Sequence, residues 1–153
     1  MREHVHENEV LIDRSAEAVH GYVSQPWRWH EWHPASESAT QAPAGLSAGA
    51  QFNEVVSMKP LAMLPIRVRL HLHWTVLESA PPHVLEMRAT SNIIDVHVRY
   101  EIERVSLTRF HRVFRFQVKG WLRFVAHYFM PARMRAQSII ALSNLKRVLE
   151  GQK

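Results

Sequence analysis

Residues 66–77 alternate strictly between apolar and polar side chains, and this stretch most restricts the fold of the chain. One face would carry Ile66, Val68, Leu70, Leu72, Trp74 and Val76, and the other Arg67, Arg69, His71, His73 and Thr75. Because successive side chains of a strand point to opposite faces of a sheet, the pattern is typical of an antiparallel strand with one buried and one wet face. Another element must cover the buried face.

Further signals predict a meander of strands around this stretch. The predicted strands cover residues 6–12, 36–41, 51–57, 66–77, 83–89, 94–104 and 109–118. Two short helices follow the first strand: Ser15 is a credible N-cap for a helix over 16–24, and a second helix or turn over 27–32 stops before Pro34.

After Trp121 the spacing of apolar residues becomes helical and predicts one long C-terminal helix. Its buried stripe would hold Met134, Ser138, Ala141, Leu142, Leu145 and Val148. We expect Pro131 to start this helix or to kink it. The predicted fold class is α+β: a curved antiparallel sheet wraps around the C-terminal helix and leaves a cavity between them.

The chain has 153 residues, of which 46% are hydrophobic. This suits a single domain spanning 1–153 that is stable without a disulfide or a structural metal. The chain contains no cysteine, which excludes disulfides, thiolate nucleophiles and cysteine-bound metals. Glycine-rich phosphate loops and the Gly-x-Ser-x-Gly elbow are also missing. His71 and His73 share a strand face, but we expect that face to be wet and without a third ligand, so we predict no metal site.

Three segments carry a resemblance to a known family. They are IDRSAEAV at 12–19, WHEWHP at 29–34 and SNLKRVLE at 143–150. In this order the chain resembles the START-like (SRPBCC) superfamily, in its polyketide cyclase/dehydrase and lipid-transport branch. The resemblance implies a helix-grip fold, a single ligand-binding domain and no obligatory cofactor. It also implies a cavity for a small hydrophobic molecule such as a lipid, a polyketide or an aromatic compound.

The resemblance leaves the activity open, because members of the superfamily include carriers, sensors and aromatic cyclases. The first hypothesis is therefore a protein that binds a small hydrophobic ligand. The second is an enzyme of the cyclase or dehydratase type that uses acid–base groups in the same cavity. Whether the chain is an enzyme stays open at this point.

Pairing the last two strands so that their apolar faces agree sets Val98 opposite Phe116, Tyr100 opposite Phe114 and Ile102 opposite Arg112. Tyr100 and Arg112 then fall on the inner face, and Glu54 joins them because it alternates with the apolar Phe52 and Val56. A charged group there needs a ligand, an ion pair or water, so these are candidates for fixing a polar head. The alternative for Arg112 is a place at the sheet end, where it would reach solvent.

Apolar residues complete the predicted ligand site. They are Trp32, Trp74, Met87, Phe114, Phe116 and Met134. Each of them would serve equally as an ordinary core residue. For acid–base chemistry, a histidine from the first helices, such as His20 or His33, is a further candidate.

The chain has a formal charge of +5, and basic residues cluster with aromatic ones in its last third. This clustering suits either a solvated rim or peripheral contact with an anionic membrane around Trp121, Arg123, Arg133 and Arg135. We find no pattern specific to nucleic-acid modules. The apolar loop 58–65 is a candidate lid or membrane-touching tip. With no signal peptide or membrane span, a cytoplasmic location is expected, and the sequence leaves the oligomeric state open.

Overall fold

The computed structural model describes residues 3–41, 45–59 and 65–151, with the backbone alone at 58 and 125–127. Its strands are β1 (His4–Ile12), β2 (Ser36–Ala39), β3 (Gln51–Met58), β4 (Val68–Ala80), β5 (Val84–Thr90), β6 (Ile94–Arg104) and β7 (Thr108–Val118). Helix α1 (Ala16–Val23) and a short 3-10 helix (Pro26–Glu31) lie between β1 and β2, and α2 (Leu122–Gly151) follows β7. Most of the loop 58–65, the predicted lid, lies outside the described residues.

The strands form one antiparallel sheet of seven strands in the order β1-β7-β6-β5-β4-β3-β2. The first strand therefore pairs with the last, and the other strands follow as a meander. The sheet curls into a half-barrel, and its concave face carries the apolar core together with α2. The predicted α+β helix-grip fold, with two short helices after the first strand, is confirmed.

Helix α1 begins where the sequence predicts it. The Ser15 hydroxyl accepts a hydrogen bond from the amide of Ala18 at 3.1 Å, which satisfies one of the free donors of the first turn. Glu17 lies in that turn and complements the positive end of the helix dipole.

Strand β4 begins two residues later than predicted and runs three residues further. Val68 pairs with Met58, the last residue of β3, so the ladder ends there and Ile66 is 57% exposed. The prediction that Ile66 belongs to the buried face is therefore wrong. A bulge between Val76 and Glu78 leaves Leu77 exposed and lets the strand continue.

The predicted register of β6 and β7 is wrong by two residues. Phe116 pairs with Val96, Phe114 with Val98 and Arg112 with Tyr100. The cause is a tighter turn than expected, because Arg104 already pairs with Thr108. Since a shift of two residues keeps every side chain on its face, Tyr100 and Arg112 still lie inside and become direct neighbours.

Helix α2 is thirty residues long and begins at Leu122, so Pro131 lies inside it and does not start it. Its buried side includes Ser138, Ala141, Leu142, Leu145 and Leu149. No helix among the described residues is long and apolar enough to span a membrane.

The C-terminal end of α2 is fastened to the segment around the end of β1. The amide of Asp13 donates to Glu150 at 3.0 Å, and the Arg14 guanidinium donates to the Leu149 carbonyl at 2.9 Å. The Lys146 ammonium group donates to the Leu11 carbonyl at 2.7 Å. These bonds fix the half of the helix that covers the core.

Candidate functional site

A cavity lies between the concave face of the sheet, the 3-10 helix and the middle of α2. Its lining residues are Trp29, Trp32, His33, Ala35, Glu54, Val56, Leu70, Leu72, Trp74, Ile94, Val96, Val98, Tyr100, Arg112, Phe114, Met134, Gln137 and Ser138. Strands β3, β4, β6 and β7 supply most of the wall, and β5 supplies none of it. Its polar groups are few and stand among aliphatic and aromatic side chains, as is typical of a site for a small organic molecule.

The free space in the cavity is modest. Its volume is about 70 Å³, counted as the space open to the centres of water-sized molecules. One water needs only ~10–15 Å³ on this measure, so several waters or a compact ligand fit without rearrangement. A ligand of drug size requires the walls to move.

Arg112 is the central polar group of this site and is only 4% exposed. Its NH1 donates to the Ser138 hydroxyl at 2.9 Å, and its guanidinium lies 4.8 Å from the centre of the Phe114 ring. Its buried Nε has no hydrogen-bond partner among the described residues. Burial lowers the pKa of Arg112, and the nearby Tyr100 and Glu54 act in the opposite direction. Its hydrogen-bond partners are neutral, so the charge is incompletely compensated.

His33 stands beside Arg112, with its Nε2 3.4 Å from NH2. Its Nδ1 accepts a hydrogen bond from the Ala35 amide at 3.2 Å. Burial and, secondly, the positive charge of Arg112 lower the pKa of His33 to about 3. The ring is therefore neutral at pH 7 and has a single acceptor nitrogen. The contacts of Nδ1 with the Ala35 amide and of Nε2 with Arg112 are thus alternatives, and the tautomer decides which of them is a hydrogen bond.

Glu54 is the acidic group of the cavity and is 5% exposed. It accepts hydrogen bonds from the Ser36 hydroxyl at 2.7 Å and from the Trp74 indole at 3.0 Å. Burial raises the pKa of Glu54 to about 7, although both hydrogen bonds and the Arg112 charge act the other way. A carboxyl group poised near neutral pH can either give or take a proton.

Tyr100 is buried next to the same guanidinium. Its ring packs against Phe110 with the ring centres 5.0 Å apart. Burial raises the pKa of Tyr100 to about 12, and Arg112 acts in the opposite direction. The phenol therefore stays protonated at pH 7, and its hydroxyl is a further polar group of the cavity.

The structure brings most of the predicted site residues together. Seven of them line this cavity: Trp32, Glu54, Trp74, Tyr100, Arg112, Phe114 and Met134. The expectation that Arg112 reaches solvent at the sheet end is wrong, because α2 covers it at Ser138.

Two predicted residues lie away from the cavity. Met87 is fully buried on β5, whose inner face is filled by the core. Phe116 is covered by the N-terminal strand, with the rings of His4 and His6 centred 4.9 and 5.8 Å from its own. Neither of these two residues lines the cavity, and for Phe116 the reason is the pairing of β1 with β7, which was not foreseen.

Several lining residues were not predicted from the sequence. Trp29 and Gln137 were not singled out, and Ser138 was predicted only as part of a buried helix stripe. A serine in an otherwise apolar stripe was the available signal for Ser138. Of the two histidines named for acid–base chemistry, His33 lies in the cavity. His20 is buried on α1 and is not among the lining residues.

The histidines of the alternating stretch face outward. His71 and His73 are exposed, and His73 Nδ1 lies 2.8 Å from the Asn53 side-chain oxygen. Within 3–41, 45–59 and 65–151, no three histidine or acidic side chains stand together in a way that could hold a metal ion.

Solved structures of other proteins share this fold at low sequence identity. The di-domain ARO/CYC BexL from the BE-7585A biosynthetic pathway matches with a TM-score of 0.68 at 16% identity, over 95% of this chain and 49% of that one. The chain therefore spans about half the length of BexL. The Zhui aromatase/cyclase of a Streptomyces species matches with a TM-score of 0.71 at 12% identity, over 97% and 94%.

A START superfamily protein from Mycobacterium smegmatis matches with a TM-score of 0.67 at 15% identity, over 97% of this chain and 96% of that one. A search of curated proteins finds no match. Identities at this level show a common fold alone. A family model described as polyketide cyclase / dehydrase and lipid transport, however, matches residues 3–150. The chain therefore belongs to the polyketide cyclase/dehydrase and lipid transport family.

Proposed function

We propose that the protein binds a small, largely apolar molecule that carries an acceptor oxygen, in the cavity between sheet and α2. The observation that carries the proposal is Arg112, a buried guanidinium with a free Nε at a cavity lined mostly by apolar side chains. Such a group costs free energy unless a partner compensates it. A carbonyl, phenolate or carboxylate oxygen of a ligand would supply that partner.

The balance of donors and acceptors supports the same ligand chemistry. Besides Arg112, the buried indole N–H of Trp32 has no acceptor among the residues that the structure describes. The acidic group, Glu54, already accepts two hydrogen bonds. The cavity therefore has a surplus of donors, and an acceptor oxygen on an apolar body fits it best.

Acetophenone and ethylbenzene form a matched pair of probes for this proposal, since they share shape and differ mainly in the carbonyl group. We expect acetophenone to bind more tightly by at least about tenfold, because a hydrogen bond from a charged donor contributes ~1.5–3 kcal/mol. Isothermal titration calorimetry measures both constants. Native mass spectrometry of the purified protein would reveal a co-purifying apolar compound directly. Equal binding of the two probes would argue against a polar anchor, and binding of neither would argue against an open cavity.

A second candidate function is a cyclisation or dehydration reaction, favoured by Glu54 with its pKa near 7 in the same cavity. In a dehydration, Arg112 would polarise a ketone oxygen while Glu54 removes the neighbouring carbon-bound proton. Glu54 then gives this proton to the β-hydroxyl, which leaves as water, and a conjugated ketone remains. Such a reaction needs no cofactor.

A β-hydroxy aryl ketone tests this function, because loss of water produces a new ultraviolet absorption. We expect turnover by the wild-type protein, and a fall of about 100-fold or more in Glu54→Gln with ligand affinity retained. Glu37→Gln, on the exposed side of β2, is the matched control. Unchanged turnover in Glu54→Gln would show that Glu54 is not the acid–base group. No turnover by the wild-type protein would contradict the enzymatic function and leave ligand binding as the proposed function.

A further inference from the structure

Four aromatic side chains at the start of α2 face solvent. Trp121 is 73% exposed, Phe124 64%, Tyr128 77% and Phe129 52%. We call these four residues the aromatic patch. Scattered exposed apolar residues are ordinary, but large aromatic rings gathered on adjacent helical turns usually mark a surface that meets an apolar partner.

The apolar surface continues along the outer side of α2. Ile139 and Ile140 are 56% and 49% exposed, although Ser138, Ala141 and Leu142 beside them are buried against the core. The helix is therefore apolar on two sides. At 1.5 Å per residue, positions 121–140 extend over ~28 Å, which is long enough for a docking face.

The surroundings of the aromatic patch are strongly basic. Residues 104–149 contain ten arginines and lysines and no acidic residue. Several of these cations are paired elsewhere, as Lys119 is with Asp95 at 2.8 Å. Among the described residues, however, Arg123, Arg133 and Arg135 have no acidic side chain within 4.0 Å. The Arg123 guanidinium lies 4.8 Å from the centre of the Phe124 ring, so cation and aromatic ring share one surface.

We propose that the aromatic patch and its flanking arginines dock the protein on the surface of an anionic phospholipid membrane. Tryptophan and tyrosine rings favour the headgroup level of a bilayer, and arginines bind the phosphates there. Anionic lipid also supplies the negative charge that residues 104–149 lack. Self-association through this face would place uncompensated arginines of two copies against each other, which is unfavourable.

Docking in this way places the membrane against the helix that also forms one wall of the cavity. Met134, Gln137 and Ser138 line the cavity, while Phe129, Ile139 and Ile140 occupy the outer side of the same helix. The proposal does not depend on which ligand the cavity holds, because it rests on the outer surface alone.

Vesicle flotation tests the proposal with two lipid compositions, phosphatidylglycerol mixed with phosphatidylcholine and phosphatidylcholine alone. We expect the wild-type protein to float with the anionic vesicles and to be released from them by added salt. It should not float with the neutral vesicles. The double variant Trp121→Ser/Phe124→Ser should lose this binding. Arg123→Gln/Arg135→Gln should weaken it about thirtyfold, since each cation near an anionic surface contributes about fivefold.

Matched controls lie elsewhere on the surface. Val105→Ser removes an apolar side chain that is 67% exposed, and Arg88→Gln removes an exposed cation from the outer face of the sheet. Both should bind anionic vesicles as the wild type does, and circular dichroism verifies that every variant folds. Equal binding to neutral vesicles, or an equal loss in the control variants, would overturn the proposal. So would a dimer, seen by sedimentation, that the aromatic double variant dissociates while vesicle binding is absent.

Discussion

Replacing Arg112 by methionine is expected to make the protein more stable and less able to bind a ligand with an acceptor oxygen. The free energy of unfolding should rise by about 2 kcal/mol, because a buried charge with neutral partners is replaced by an apolar side chain of similar length. The Ser138 hydroxyl, left without Arg112, can turn to the carbonyl of its own helix four residues back.

The same substitution should remove the preference of the cavity for acetophenone over ethylbenzene. Without the guanidinium, the carbonyl oxygen loses its charged donor, and the affinity for acetophenone should fall at least about tenfold to the level of the hydrocarbon. Urea denaturation and titration calorimetry measure the two effects on the same sample. Opposite signs for stability and binding are what separate a ligand anchor from a residue that merely holds the core together.

Arg115→Met on the outer face of the same strand is the matched control for this experiment. Arg115 is half exposed and lies 3.7 Å from Glu3. Exposed ion pairs of this kind contribute ~0–1 kcal/mol, so both stability and acetophenone binding should stay close to the wild type. A large loss of stability in Arg112→Met would mean that its hydrogen bond to Ser138 outweighs the cost of burying the charge, and the anchor role would lose its support.

Glu54 is expected to give the folded protein an unusual dependence on pH. Its pKa is raised from 4.5 to about 7 by burial. Below pH 4.5 the folded and unfolded chains both hold this proton, whereas between pH 4.5 and 7 only the folded chain keeps it. The contribution of Glu54 to stability therefore falls as the pH rises through this interval, by ~3 kcal/mol in total, and is constant above it.

Buried histidines change the stability in the opposite direction over part of this pH interval. Burial lowers the pKa of His33 to about 3, so the unfolded chain takes up a proton at pH values where the folded chain does not, and stability rises with pH up to about 6.5. The wild-type profile alone therefore hides the contribution of Glu54. The difference between Glu54→Gln and the wild type removes the shared histidine contributions and isolates it.

Urea denaturation of both proteins from pH 4 to about pH 8 provides this difference. We expect the free energy of unfolding of Glu54→Gln, relative to that of the wild type, to rise by ~3 kcal/mol between pH 4.5 and 7. Above this interval the difference should stay constant. A difference that stays constant with pH would show that Glu54 titrates normally, and the acid–base role proposed for it would then fail.

The alternation of residues 66–77 and the helical spacing after Trp121 were enough to predict the fold, because periodicity reports directly which face of an element is buried. The register between strands and the ends of the strands were harder to predict from the sequence. The β6–β7 pairing depends on the length of a turn, and the exposure of Ile66 depends on where its partner strand ends. Neither is encoded in periodicity.

For the site, too, the inward-facing side chains could be predicted from the sequence, but contacts between distant residues could not. Placing Glu54, Tyr100 and Arg112 inside required only the face of each strand, which an error of two residues does not change. The contact between Arg112 and His33 joins residues 79 positions apart, and nothing local in the sequence predicts it. Phe116 was misplaced for a similar reason, since the first strand covers it.

The contacts of β1 and the residues after it with β7 and α2 have a consequence for how the protein is made. The bond from Asp13 to Glu150 spans 137 residues, and β1 finds its sheet partner only in β7, the last strand. Contacts of such high sequence separation slow folding, because a long loop must close before they form. At a synthesis rate of ~5–20 residues per second, the newly made β1 waits for several seconds with both edges unpaired. This domain therefore completes its folding only after α2 has left the ribosome.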